Sequence, residues 1–186
     1  MDKRELVEQA QRGDHEAFAI LARASGARLD AAARLILRDP EAAKDAVQDA
    51  YIRAWRDLRS LRDVELFDQW LYRLLANACR DQLRRRRRRP TEVDLIDLQH
   101  PAAPDAYASW ADRDEVEQGF RTLKPEQRSL VVLHYYLGLS LPEAAATLGI
   151  PLGTAKSRLH HTLQELRAAL EADARGTGSA MGGRIA

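Results

Sequence analysis

Residues 139–167, LSLPEAAATLGIPLGTAKSRLHHTLQELR, constrain the fold of this chain more than any other stretch. Ser140 is a good helix N-cap, and Glu143 three residues later completes a capping box. Pro142 suits the first turn. Ala145 and Leu148 fall on the inward face, and Gly149 permits the left-handed backbone that ends the helix. Ile150 fills the elbow, and Pro151 opens a second helix on which Ala155, Leu159, Leu163 and Leu166 share one face. The opposite face carries Thr154, Lys156, Ser157, His160, His161 and Gln164, with Arg158 at its flank. A short helix with small inward residues, a glycine turn and a polar-faced second helix are the parts that lay a helix in the major groove of DNA. An ordinary helical hairpin shares the amphipathic pair but needs neither the capping box nor the glycine elbow.

The remaining sequence is also helical in pattern. Residues 15–37 place Phe18, Leu21, Ala22, Leu29, Ala32, Ala33 and Ile36 at helical spacing. Asp39 and Pro40 start a new helix, as N-cap and first residue. Its stripe is Ala43, Ala46, Val47, Ala50, Tyr51, Ala54, Trp55 and Leu58. A third helix carries Phe67, Trp70, Leu71, Leu74, Leu75, Ala78 and Cys79, runs into six arginines at 84–89, and stops at Pro90. No useful length alternates with period two. The expected fold class is therefore all-α, with two small helical domains at 1–89 and 112–174. Residues 90–111, with Pro90, Pro101 and Pro104 and scattered acids, read as a flexible acidic linker. A short helix is expected over 112–122, and another starts at Lys124-Pro125-Glu126. The Gly-rich residues 175–186 are expected to be a disordered tail.

Net charge is only +1, but its distribution is uneven. Residues 1–90 carry 20 basic and 15 acidic side chains, residues 91–117 one and eight, and the rest eight and five. Two basic blocks flank an acidic segment, which suits contact with a polyanion better than the sum suggests. No stretch approaches the ~18 apolar residues of a transmembrane span. The first residues lack the apolar core of a signal peptide, so a cytoplasmic location without membrane insertion is expected. Cys79 is the only cysteine, which leaves no disulfide within the chain. It reads as a small apolar core residue rather than a redox centre.

Four motifs stand in order along the chain. The first is Asp45-Ala46-Val47-Gln48-Asp49-Ala50-Tyr51-Ile52-Arg53-Ala54-Trp55. The second is Phe67, Trp70-Leu71-Tyr72-Arg73, Asn77, Asp81 and Leu83-Arg84-Arg85. Leu123 to Arg128 has the form Leu-x-x-Glu-x-Arg, and Gly153-Thr154-Ala155-Lys156-Ser157-Arg158-Leu159 follows. With them, the chain resembles a bacterial sigma factor of the extracytoplasmic-function type, in the sigma-70 family, over about residues 14–89 and 112–170. The resemblance implies a region 2-like bundle, a region 4-like helix-turn-helix and promoter-specific initiation by core RNA polymerase.

It also implies site residues. Asp45, Gln48, Asp49, Ile52, Trp55 and Arg56 would dock on the clamp helices of the β′ subunit, and the second domain would meet the β flap. The segment from Arg59 to Phe67, including Arg62, would capture a flipped base of the minus-10 element, which costs stacking energy and needs a pocket. Trp70, Asn77, Arg80 and Arg84 would lie along the DNA there, although Phe67 and Trp70 also sit on the apolar stripe. The arginine run suits phosphate. The linker would enter the RNA exit path, or act as a plain spacer. Thr154, Lys156, Ser157, Arg158, His160 and His161 would read the minus-35 element. The pair His160-His161 departs from the aromatic or basic residue and arginine common in relatives, which bears on the sequence that is read. An anti-sigma factor is an expected partner.

No enzyme, cofactor or metal centre is expected. P-loop, HExxH and nucleophile-elbow motifs are absent, and adjacent histidines diverge by about 100° on a helix. The alternatives are a stand-alone helix-turn-helix regulator and a protein–protein adaptor. Neither needs the Asp45–Trp55 or Phe67–Arg85 pattern.

Overall fold

The computed structural model describes residues 2–88 and 119–181, with side chains to 169, and its regular structure there is entirely helical. The expected linker, the first part of the 112–122 helix and the last five residues lie outside the described residues. The N-terminal group comprises α1 (Lys3–Gln11), α2 (His15–Leu37), α3 (Pro40–Asp57), 3-10 turns at Leu58–Ser60 and Val64–Leu66, and α4 (Phe67–Arg88). The C-terminal group comprises α5 (Pro125–Val131), a π-turn at Val132–Tyr136, α6 (Leu141–Leu148) and α7 (Leu152–Met181).

Helix starts follow side-chain chemistry. Asp2 and Glu5 form a capping box for α1, which the reading from residue 15 onward did not anticipate. Asp14 accepts from the amides of Glu16 and Ala17 to start α2, and Asp39 accepts from Ala42 to start α3 before Pro40. Arg38 closes α2 in the left-handed region, at φ 53°. In the N-terminal group α3 packs on α4 and α2, and α1 packs on α2. Helix α3 turns Ala42, Ala43, Ala46, Ala50 and Ala54 inward, all buried. Methyl groups at the contact let helix axes approach closely.

Two expectations are corrected in the last helix. Leu163 is exposed, and Thr162 takes the buried place, so the inward stripe is Ala155, Leu159, Thr162 and half-buried Leu166. The Thr162 hydroxyl donates to the Arg158 carbonyl at 2.7 Å, which satisfies it inside the core. The helix also continues to Met181, past the point where the tail was expected to lose structure. The Ala-rich run before Gly176 propagates it, since extending a formed helix needs no new nucleus.

The two groups share one apolar core, with α2 against α5 and α4 against α6. Among the described residues, arginines make the polar contacts across this join. Arg28 donates to the Tyr136 carbonyl at 2.8 Å, with its guanidinium 5.4 Å and 6.0 Å from the ring centres of Tyr72 and Tyr136. Arg128 donates to the carbonyls of Ile36 at 3.0 Å and Leu123 at 2.6 Å. The first of these belongs to the last turn of α2, where carbonyls lack helical partners. Burial and the nearby Arg38 charge push the Arg128 guanidinium down to about 10, still well above neutrality. Arg80 donates to the Thr147 carbonyl, Arg38 to that of Arg121, and Arg73 and Arg87 pair with Glu143 and Glu126.

Candidate nucleic-acid interface

The helix-turn-helix is built as its residues dictate. The Ser140 hydroxyl accepts from the Glu143 amide at 3.4 Å, and the Glu143 carboxylate accepts from the Ser140 amide at 2.9 Å. The Ser140 hydroxyl, which also donates to that carboxylate at 2.6 Å, and the Ser140 amide, with Arg73 nearby, hold the Glu143 carboxyl below its usual range. Gly149 has φ 66° and ψ 36°, and the Ile150 amide donates back to the Ala145 carbonyl at 3.1 Å. This glycine-ended turn aims α7 across α6. Buried Ala144 and Ala145 let the two helices cross closely.

Helix α7 then presents Thr154, Lys156, Ser157, His160 and His161 to solvent, with Arg158 half-buried at the edge. The two histidine rings lie 5.7 Å apart. Beside this face is an open groove of about 540 Å³. Thr154, Ser157, Arg158 and His161 form one wall, and Lys124, Glu126 and Gln127, ahead of and on α5, form the other. Lys124 precedes the helix-turn-helix and stands at an unspecified position of the Leu123–Arg128 motif, so its residue type was not marked as a contact from sequence.

The N-terminal group presents two further surfaces. On α3, Asp45, Gln48, Ile52 and Arg56 are exposed, Ile52 to 55%. Asp49 is half-buried and held by Arg53, which also binds Asp81, both at 2.9 Å. Trp55 is half-buried, with its ring 5.1 Å from that of Phe18 and 4.4 Å from that of His15. It is anchored to α2 more than it is offered to a partner.

The other surface follows α3. Arg59 and Arg62 are exposed on a loop pinned by the Gln11 amide, which donates to the carbonyls of Leu58 and Leu61 at 3.1 and 2.7 Å. Phe67 is only 2% exposed, so it is a core anchor of the loop rather than a surface that a base reaches here. Trp70 packs half-buried beside it, with centroids 6.2 Å apart. Asn77 is half-buried, Arg84 is exposed, and Arg80 is already engaged with Thr147. In the arginine run, Arg86 pairs with Asp39 and Arg87 with Glu126. The Cys79 thiol is buried and pushed up to about 12 by desolvation, which keeps it out of thiolate chemistry at neutral pH. No helix among the described residues is long and apolar enough to cross a membrane.

Comparison with known proteins matches the two groups separately and in order. The family model described as "Sigma-70 region 2" matches residues 21–89, and "Sigma-70, region 4" matches residues 113–166. The chain is 38% identical over 154 residues to the ECF RNA polymerase sigma factor SigM of Mycobacterium tuberculosis, covering 83% of this chain and 77% of that protein. It is 30% identical over 185 residues to the RNA polymerase sigma-H factor of Pseudomonas aeruginosa, covering 90% and 93%. Among solved structures, RpoE in complex with the anti-sigma factor NepR from Bartonella quintana has a TM-score of 0.69 at 27% identity, covering 84% of this chain and 98% of that one. CnrH in complex with the cytosolic domain of CnrY has a TM-score of 0.64 at 29% identity, covering 92% and 98%.

Proposed function

The chain belongs to the sigma-70 family as an extracytoplasmic-function sigma factor, and we propose that it directs core RNA polymerase to promoters through three separate surfaces. Asp45, Gln48, Asp49, Ile52 and Arg56 on α3 meet the β′ clamp helices, with Trp55 holding that helix to α2. Arg59, Arg62, Asn77, Arg80 and Arg84, backed by Phe67 and Trp70, serve the minus-10 element. Thr154, Lys156, Ser157, Arg158, His160 and His161 read the minus-35 element, and the same domain meets the β flap. These assignments divide the chain into a region 2 domain at 1–89, a connector at 90–111 and a region 4 domain at 112–174. The role is recognition and positioning without covalent chemistry, exercised where the polymerase is, in the cytoplasm.

One observation carries this reading: a single chain holds both an acidic face with an exposed isoleucine on α3 and an exposed polar face on α7. A stand-alone operator-binding regulator needs only the second. An exposed apolar residue ringed by carboxylates and amide suits docking on a basic helical partner. The relative RpoE was solved with an anti-sigma factor. Such a factor is the expected inhibitor here, competing for these surfaces.

Run-off transcription with purified core polymerase on a promoter library tests the proposal. Specific initiation above core alone is expected, and its absence would refute the assignment. Lys156→Ala and Arg158→Ala should lower promoter use with core binding intact. Ile52→Ala and Asp49→Ala should weaken core binding first. Loss of core binding from the α7 variants would mean that helix has been misread.

A further inference from the structure

We infer that the groove between α5 and α7 is a DNA-backbone rail in which Lys124 grips a phosphate and Glu126 opposes it. This rests on the reading of α7 as the minus-35 helix and adds a contact outside the helix-turn-helix. The groove lies along the flank of α7, where Arg158 and His161 line one wall and Lys124 the other. A helix seated in the major groove is flanked by phosphate backbones, and such contacts set register without reading sequence. Lys124 is exposed and, among the described residues, has no carboxylate partner. Its backbone has separate duties: its amide donates to the Gln127 side chain at 2.8 Å, and its carbonyl accepts from the Arg128 amide at 3.0 Å. The ammonium is therefore not used for folding.

Glu126 gives the groove its second sign. Burial raises its carboxyl, but its own backbone amide, the bond from Arg87 and the nearby Arg158 together hold it below the usual range. Arg87 comes from the other domain. Glu126 lines the same groove wall as Lys124, so it brings negative charge beside the backbone that Lys124 grips. The two residues thus have opposite effects. Removing the Lys124 charge weakens DNA binding uniformly across sequences, and removing the Glu126 charge strengthens it.

The test uses the full chain bound to core polymerase and fluorescent duplexes that this complex selects from a random library. Affinity is measured from 50 to 200 mM salt, also on duplexes with single changes in the minus-35 element. For Lys124→Ala the slope of log affinity against log salt should fall by about 0.9, the share of one phosphate. The loss of affinity across that salt range then becomes about 3.5-fold smaller than for wild type. The sequence preference should not change, Lys124→Arg should restore the slope, and Glu126→Gln should bind more tightly than wild type. Unchanged slope in Lys124→Ala while Arg158→Ala weakens binding would overturn the rail and leave the reading of α7 standing. A loss confined to one minus-35 sequence would also overturn it, since a phosphate contact is blind to bases. No effect from either variant would remove the reading of α7 along with the rail.

Discussion

Arg28 is the sharpest place to test how the two domains are held together. Its guanidinium donates to the Tyr136 carbonyl at 2.8 Å and lies against the rings of Tyr72 and Tyr136. A hydrogen bond from a charged donor is worth about 1.5–3 kcal/mol, and a partly exposed cation–π contact about 0.5–1. Arg28→Ala should therefore weaken the docking of the domains by about 2–4 kcal/mol. That is roughly a 30- to 700-fold shift in the ratio of packed to separated forms. Arg28→Lys keeps the charge but not the planar fork, and should fall between. The assay is a distance measurement between labels on Ala24→Cys and Ala146→Cys, both exposed positions on opposite sides of the join. Buried Cys79 should stay unlabelled. Wild type should give one short, narrow distance, and Arg28→Ala a broad, longer distribution with unchanged helix content. An unchanged narrow distance in Arg28→Ala would refute the reasoning, because the apolar contacts and the other arginines would then hold the join without it.

Gly149→Ala should destabilise the helix-turn-helix by about 1–2 kcal/mol in urea unfolding, all of it backbone strain, because an added Cβ would meet nothing within 4 Å. Gly149→Asn should cost less. Ser140→Ala should cost about 1 kcal/mol by removing the cap of α6. The folded Glu143 carboxyl titrates below its unfolded value, so its stabilisation is complete at neutral pH and is lost as pH falls from about 4.5 through the folded pKa. The gap in urea midpoint between wild type and Glu143→Gln should therefore shrink between pH 7 and pH 3. Finally, native protein should resist thiol reagents at Cys79 and react in full once unfolded, because burial holds that thiol near 12. Rapid labelling of the native protein would contradict the buried placement.

Much of the candidate site was legible because local chemistry decides it. Ser140, Glu143 and Gly149 name the boundaries of α6, and Asp39-Pro40 names the start of α3. Other features were hidden for physical reasons. Helix α1 is only nine residues long, and its one signal, Asp2 with Glu5, was passed over. Leu163 and Thr162 lie side by side at the edge of one stripe, so packing rather than hydrophobicity settled which is buried. Phe67 matched a motif and also stood on the apolar stripe, and its burial follows the stripe, because such a residue can anchor a loop without reaching its surface. The join between domains left no trace in the sequence. Its acceptors are mostly backbone carbonyls, which every residue has, and of its arginine donors only Arg80 and the run that holds Arg87 had been assigned a role, toward DNA. Lys124 was missed because it faces α7 only after the chain has folded back.

The alanine stripe of α3 has a consequence for experiment. Because that helix is held to its neighbours by methyl groups on one side, most of the side chains proposed to meet the polymerase do no packing on the other. Asp45, Gln48 and Ile52 are exposed, so exchanging them for other good helix formers should change the stability of the bundle by no more than about 0.5 kcal/mol each. Losses in polymerase affinity from these three positions are therefore direct measures of docking. Those from Trp55 mix docking with stability and need a folding control beside them.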